Sequence, residues 1–135
     1  MLYILLLLPI YKFCIEIGIP ESLIYFGHFN KEEYFLLDNK NIFFYDFTIL
    51  NLNIIIEYNG EKFHPNPNWD IDKKNEWKCL FSKLSYNEKY KFDEYKNKIA
   101  IENGFDIYSI YSSDDKEQFI NRTKNIIEKK WQIKK

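Results

Sequence analysis

The 135 residues include one Arg, one Ala, one Met and no Val, with only four Gly, four Pro and two Cys. Two cysteines, Cys14 and Cys79, cannot build a disulfide framework, so the expected setting is intracellular, in the cytoplasm or nucleus. So little Gly and Pro excludes a collagen-like or low-complexity chain. A single arginine leaves lysine to make the phosphate contacts that a forked guanidinium makes elsewhere. A charge excess is missing too. With 19 basic and 20 acidic residues the net charge is −1, which excludes a histone-like or ribosomal-type basic protein. The enriched types are 20 Ile, 18 Lys and 14 Asn, whose codons are AT-rich. The skew reads as genome composition more than as physics.

A long hydrophobic run is also lacking. Leu2 to Ile10 is nearly all apolar but is interrupted by Pro9, and it is about half the length of a membrane span. It has neither the cationic leader nor the small-residue cleavage site of a signal peptide. A buried strand or helix start is expected there, with a signal or anchor and an atypical start as the alternatives. No membrane partner is expected. The sequon Asn121-Arg122-Thr123 would matter only in a secreted chain.

Apolar residues make up 46% and charged residues 29%, which is a globular balance. The length predicts one domain over residues 1–135, and 23 Tyr and Phe predict a core rich in rings. Tyr11 to Gly18 reads as the continuation of a short helix, ended by Gly18 and the Pro20 region, and Glu33 to Leu37 as a short apolar stretch. Ile42 to Ile49 and Leu50 to Tyr58 read as strands, with Ile54-Ile55-Ile56 buried on both faces. His64 to Asn68, with two prolines, reads as a loop, and Lys73 to Ser85 as weakly helical. Lys89 to Asn103 is a better helix, with Phe92, Tyr95, Ile99 and Ala100 on one side and a stop at Asn103-Gly104. Phe105 to Tyr111 is a strand. Ser112 or Ser113 is expected to cap a last, basic helix over about 114–135. The order is helix, three strands, helix, strand, helix, which indicates an α/β fold with a mixed sheet.

Two acids stand in ring-rich or aliphatic strands. Asp46 follows Phe43-Phe44-Tyr45, and Glu57 ends Ile54-Ile55-Ile56. Burying such an acid is costly unless it is paired or bound to metal. If a tight turn lies near Leu50 to Leu52, the two meet on adjacent strands and form an oxygen site suited to Mg²⁺. The other reading puts both on a solvated face. His64, seven residues after Glu57, can act as a general acid or base, can orient water, or can be structural. Asn66 and its flanking prolines shape either a loop over the site or a simple turn.

Three strings, Tyr45-Asp46-Phe47, Ile55-Ile56-Glu57-Tyr58-Asn59-Gly60 and Phe63-His64-Pro65-Asn66-Pro67, together resemble a nuclease family. That family is the very-short-patch-repair (Vsr-like) branch of the PD-(D/E)XK superfamily, including its homing-endonuclease-like members from phages and large DNA viruses. Downstream, Phe92-Asp93-Glu94-Tyr95-Lys96, Asn103-Gly104-Phe105 and Ile107 to Tyr111 resemble the helix, glycine turn and final strand of the same branch. The resemblance spans about residues 31 to 115. It implies a restriction-endonuclease-like αβββαβ core and a DNA endonuclease that depends on Mg²⁺ or Mn²⁺. By the same resemblance, Asp46 matches the central metal-binding aspartate, Glu57 the second acid and His64 the histidine used in place of a catalytic lysine. Asp93 matches the acid on the following helix and Lys96 the base one turn later. Glu33, in Asn30-Lys31-Glu32-Glu33-Tyr34, is chosen as the upstream glutamate, with Glu21 as the alternative. Lys96 is expected to stabilise phosphate charge or to orient Asp93, unless it is an ordinary solvated lysine.

The chain departs from the pattern at Asn59, where a lysine would follow the acid by two residues, at Phe63 in place of Trp, and at Tyr111-Ser112-Ser113-Asp114 in place of a Trp-Glu pair. These departures motivate a rival, a nuclease-fold DNA-binding module without catalysis. A secreted small domain is a more distant rival.

Charge is divided along the chain. Residues 1–60 carry 3 basic and 7 acidic side chains, residues 61–135 carry 16 and 13, and the tail 122–135 carries six basic residues and one acid. With Ile126, Ile127, Trp131 and Ile133 interleaved, that tail can dock on the core and turn Lys124, Lys129 and Lys130 to DNA phosphates. The other reading is a solvated helix face with a frayed end. Asn66 is a further candidate DNA contact. A homodimer and a separate specificity partner are left open.

Overall fold

The computed structural model describes residues 2–27 and 32–134, so Asn30 and Lys31 of the upstream string lie outside the described residues. A four-stranded sheet is formed by β1 (Ile24–Phe26), β4 (Phe47–Ile49), β5 (Ile54–Asn59) and β6 (Asp106–Tyr111), in that spatial order. The first three are antiparallel and β6 runs parallel to β5. A separate hairpin pairs β2 (Tyr34–Leu37) with β3 (Ile42–Tyr45). The helices are α1 (Leu2–Glu16), α2 (Ile71–Glu76), α3 (Tyr86–Glu102) and α4 (Lys116–Lys134). This is an α/β protein with a mixed central sheet flanked by helices.

Strand alternation decides which helix covers which face. Ile54 and Ile56 of β5 join Leu7, Ile10 and Cys14 of α1 and Phe119 and Ile127 of α4 in one buried cluster. Ile55, between them, faces the other way, onto Ile99 and Ala100 of α3 with Phe43, Tyr45 and Phe105. The apolar run 54–56 is therefore buried on both faces, as its lack of alternation predicts.

Leu2 to Ile10 starts a helix that Tyr11 onward continues, α1, with Pro9 inside it, so of the two buried alternatives the helix start holds. No helix among the described residues is long and apolar enough to cross a membrane. Several other expectations are corrected. The sheet takes its first strand at Ile24–Phe26, ahead of residue 31. Ile42 to Ile49 is not one strand: it breaks at Asp46 and serves two sheets. Leu50–Leu52 is a 3₁₀ turn closed by Asn53 at φ 55°, so β5 begins only at Ile54. Of Lys73 to Ser85, only the part up to Glu76 is helical. The remainder is a small hairpin bridged at Lys78 and Ser85, because Ser85 and Glu88 form a capping box that starts α3 there. Asp115, not Ser112 or Ser113, caps α4: its carboxylate accepts from Gln118 N–H at 3.1 Å.

The last helix docks firmly. Ile127 is buried, Ile126 and Trp131 pack beside it, and Trp131 Nε1 donates to the Ile17 carbonyl at 2.9 Å. Ile133 is instead 85% exposed. Ile127→Ala is expected to cost about 2–5 kcal/mol in urea unfolding. Ile133→Ala should stay within about 0.5 kcal/mol of the parent. Equal effects of the two substitutions would show that α4 is not seated this way.

Candidate active site

The strand break at Asp46 builds the site. Phe47 pairs with Ile56, so Asp46 and Glu57 occupy the next rung where β4 leaves the sheet. Backbone ladder bonds are replaced there by a reciprocal pair. Asp46 N–H donates to Glu57 Oε1 at 2.7 Å, and Tyr58 N–H donates to Asp46 Oδ2 at 2.7 Å. The tight turn at Leu50–Leu52 sets this register. The solvated-face reading therefore fails for Glu57, which is buried on the α3 side of the sheet.

The ammonium that faces Glu57 comes from α3. Lys96 Nζ lies 2.7 Å from Glu57 Oε2 and 4.9 Å from the centre of the Tyr45 ring. Tyr45, fully buried, donates its hydroxyl to the Lys96 carbonyl at 2.8 Å and so ties β3 to α3. Asn59 brings no ammonium to this strand, whereas Lys96 brings one from across the layer. Lys96 does not orient Asp93, and the solvated-lysine reading is excluded by its ion pair.

Glu33 completes an acidic group. It lies close enough to Asp46 and Lys96 to feel both charges. Glu21, its alternative, lies instead against the Tyr11 hydroxyl. Burial and the Asp46 charge push Glu57 up to about 7, with Lys96 opposing. Burial and the Asp46 carboxylate likewise raise Glu33, again opposed by Lys96. Glu57 and Glu33 thus both feel one ammonium.

That donor set suits a hard dication in chemistry, with oxygen ligands and uncompensated negative charge. Among the described residues, no group of three or more His, Cys, Asp or Glu side chains is arranged to hold a metal alone. Mg²⁺ does not require one, because it commonly takes one or two carboxylates and completes its shell with water and substrate phosphate.

One turn earlier on α3, Asp93 holds His64. Nδ1 of His64 lies 3.0 Å from Asp93 Oδ2, and Lys89 Nζ lies 2.8 Å from Asp93 Oδ1. Burial alone would raise Asp93, but His64 and Lys89 together bring it below the usual carboxylate range. Asp93 and Lys96 are three residues apart, roughly 4.5 Å along the helix axis. One face of α3 therefore serves both His64 and Glu57. His64 lines a cleft with Asn59, Asn66, Trp69, Tyr111 and Ser113. Asn66 is buried and holds its own loop, accepting from Asn68 N–H at 2.9 Å and donating to Ser113 Oγ at 3.2 Å. It shapes the loop beside the site.

The basic tail is elsewhere. α4 covers the face of the sheet opposite Glu57. Lys124 lies over the Phe13 ring and Lys130 is ion-paired with Asp106 at the start of β6. Lys129 is exposed on that same far side. The sequon's Thr123 is buried within α4.

Sequence reasoning missed two features. Lys89 carried no motif signal beyond its four-residue spacing from Asp93. The second is a ring-and-lysine surface beside His64, where Phe63 pairs with Phe81 at 5.1 Å and Trp69 with Trp77 at 5.9 Å. Lys73 lies 4.6 Å over Trp69. The interleaved aromatics and lysines of 62–81 are its sequence trace.

Comparison of the chain with protein-family models, with curated proteins and with solved structures returns no match.

The raised Glu57 sets a pH dependence. Because its folded value lies above its unfolded one, the fold binds an extra proton between about pH 4.5 and 7, and stability falls as pH rises through that window. Without divalent metal, wild type is expected to lose stability from pH 5 to pH 8 relative to Glu57→Gln. Parallel stability–pH curves in chemical denaturation would contradict this assignment.

Proposed function

We propose that the protein is a metal-dependent DNA endonuclease that hydrolyses phosphodiester bonds. The observation that carries the reading is the pairing of Asp46 with Glu57 at one rung of the sheet, with Glu57 held by Lys96 and His64 held by Asp93 from one face of α3. The path of the chain supports it. α1, β1, β4, β5, α3 and β6 run in αβββαβ order, and the four strands are neighbours in one sheet. That order is compatible with the restriction-endonuclease-like core that the sequence resemblance implies, with the β2–β3 hairpin and α2 read as insertions. The paired rings and lysines beside His64 support a nucleic-acid substrate, because rings stack on bases and ammonium groups attract phosphates.

Asp46 and Glu57 would hold Mg²⁺ or Mn²⁺, with Glu33 beside them. The ion, when bound, supplies charge stabilisation of the phosphate and a lower pKa for water. Lys96 offsets negative charge at the scissile phosphate. Asp93 grips Nδ1 of His64, so Nε2 is the atom that accepts the water proton or returns one to the leaving oxygen. Asn66 keeps the His64 loop in place.

Purified protein with Mg²⁺ or Mn²⁺ is expected to nick or linearise supercoiled DNA, and chelation should abolish this. Asp46→Asn should reduce the rate at least about 100-fold, and His64→Ala about 100- to 10,000-fold. Intact DNA, or an Asp46→Asn protein that cuts like wild type, would refute the reading.

A second reading is a nuclease-fold DNA-binding module without catalysis. It is favoured by the engagement of both Glu57 oxygens, one by Asp46 N–H and one by Lys96. DNA binding with no Mg²⁺-linked rise in melting temperature would select it.

A further inference from the structure

His64 and Lys89 compete for one carboxylate. Asp93 turns Oδ2 to the imidazole at 3.0 Å and Oδ1 to the ammonium at 2.8 Å. This is not a solvated helix pair: the side chains of Lys89 and Asp93 are only 13% and 15% exposed. Lys89 is further confined by the Phe92 ring, 4.7 Å from Nζ, and its charge also acts on the Cys79 thiol. In such surroundings a charge is weakly screened, and removing one partner of a pair changes the field felt by the other.

We propose that Lys89 is a positioning residue for His64. It pins Asp93 against Nδ1 and, by sharing the carboxylate, limits how strongly Asp93 favours the protonated imidazole. Nε2 is then the ring nitrogen left to exchange protons. Among the described residues, the titratable groups that contact His64 or line the cleft with it are Asp93, joined to Lys89 on α3, Tyr111 on β6 and Glu61 on its own loop. Tyr90 and Asp114 act one group further out, on Tyr111. Of these, Lys89 is the cation joined to His64 through a single shared carboxylate. Its catalytic consequence rests on the endonuclease reading, whereas its effect on the imidazole does not.

The test is the NMR titration of the His64 ring in metal-free protein, with His28→Gln as the common background so that one imidazole is observed. In Lys89→Met and Lys89→Gln, Asp93 belongs to His64 alone, and the midpoint should rise by about 0.5 pH or more, a threefold change in proton affinity. Lys89→Arg keeps the charge and should titrate close to the parent. Asp93→Asn removes the shared carboxylate, and the midpoint should fall. Two neutral replacements of different shape guard against a folding defect in either one. A midpoint in folded Lys89→Met or Lys89→Gln that coincides with the parent overturns the inference. So does a Lys89→Arg midpoint that moves as far as the neutral variants. Where DNA is cleaved, the acid limb of the rate–pH profile should move with the His64 midpoint across the series. If wild type leaves DNA intact, the endonuclease reading fails while the titration still decides the role of Lys89.

Discussion

The carboxylate of Glu57 sits in a strand whose preceding three positions are isoleucine, and the need to satisfy it organises what surrounds it. Each of its oxygens has a partner that the sheet alone does not supply. Asp46 N–H reaches Oε1 only because β4 leaves the ladder at that rung, and Lys96 reaches Oε2 only because α3 crosses the same face. A buried carboxylate without these partners would be strongly destabilising. The break between β3 and β4, the placement of the β2–β3 hairpin against α3 and the seating of Tyr45 beneath Lys96 are consequences of that one requirement.

Helix α3 is the other organising element, because it joins two chemistries by periodicity. Lys89, Asp93 and Lys96 are spaced four and three residues apart, so they share one stripe. Along it, Asp93 takes the histidine from the loop after β5 while Lys96 takes the acid from β5 itself. The stripe continues into Ile99 and Ala100, which are buried against Ile55 and Phe105. The apolar end of α3 thus fixes the position of its charged end. The opposite face of the sheet, sealed by α1 and α4, takes no part in the cluster, and the lysines of the tail follow α4 to that side.

Much of the architecture is legible in the residues. The run Ile54-Ile55-Ile56 lacks alternation and so belongs to a strand covered twice. Asn103-Gly104 ends a helix because Gly104 adopts φ 88°, a conformation that favours glycine. Asp46, Glu57 and His64 stand out because acids and a histidine next to apolar runs or prolines need a reason to be there. Less legible was the single kink that splits Ile42 to Ile49. Nothing in a string of β-forming residues says that one rung will be given to side-chain hydrogen bonds. The side of the sheet on which the α4 lysines stand was likewise not legible, since a helix can lie on either face of a sheet.

Composition, strand character, the glycine stop and the spacing of acids, histidine and helix lysines are local properties, and they follow from chain chemistry over a few residues. Which acid meets which ammonium is not local. Lys96 lies 39 positions from Glu57 and Asp93 lies 29 from His64, and their contacts exist because the β5–α3–β6 crossover lays α3 on one chosen face. The placement of Glu33 near Asp46 and of Glu21 near Tyr11, the arrival of an ammonium at Glu57 from a helix, and the sharing of Asp93 by His64 and Lys89 were all decided there. Burial sets the strength of each charge, and burial exists only after the layers have closed.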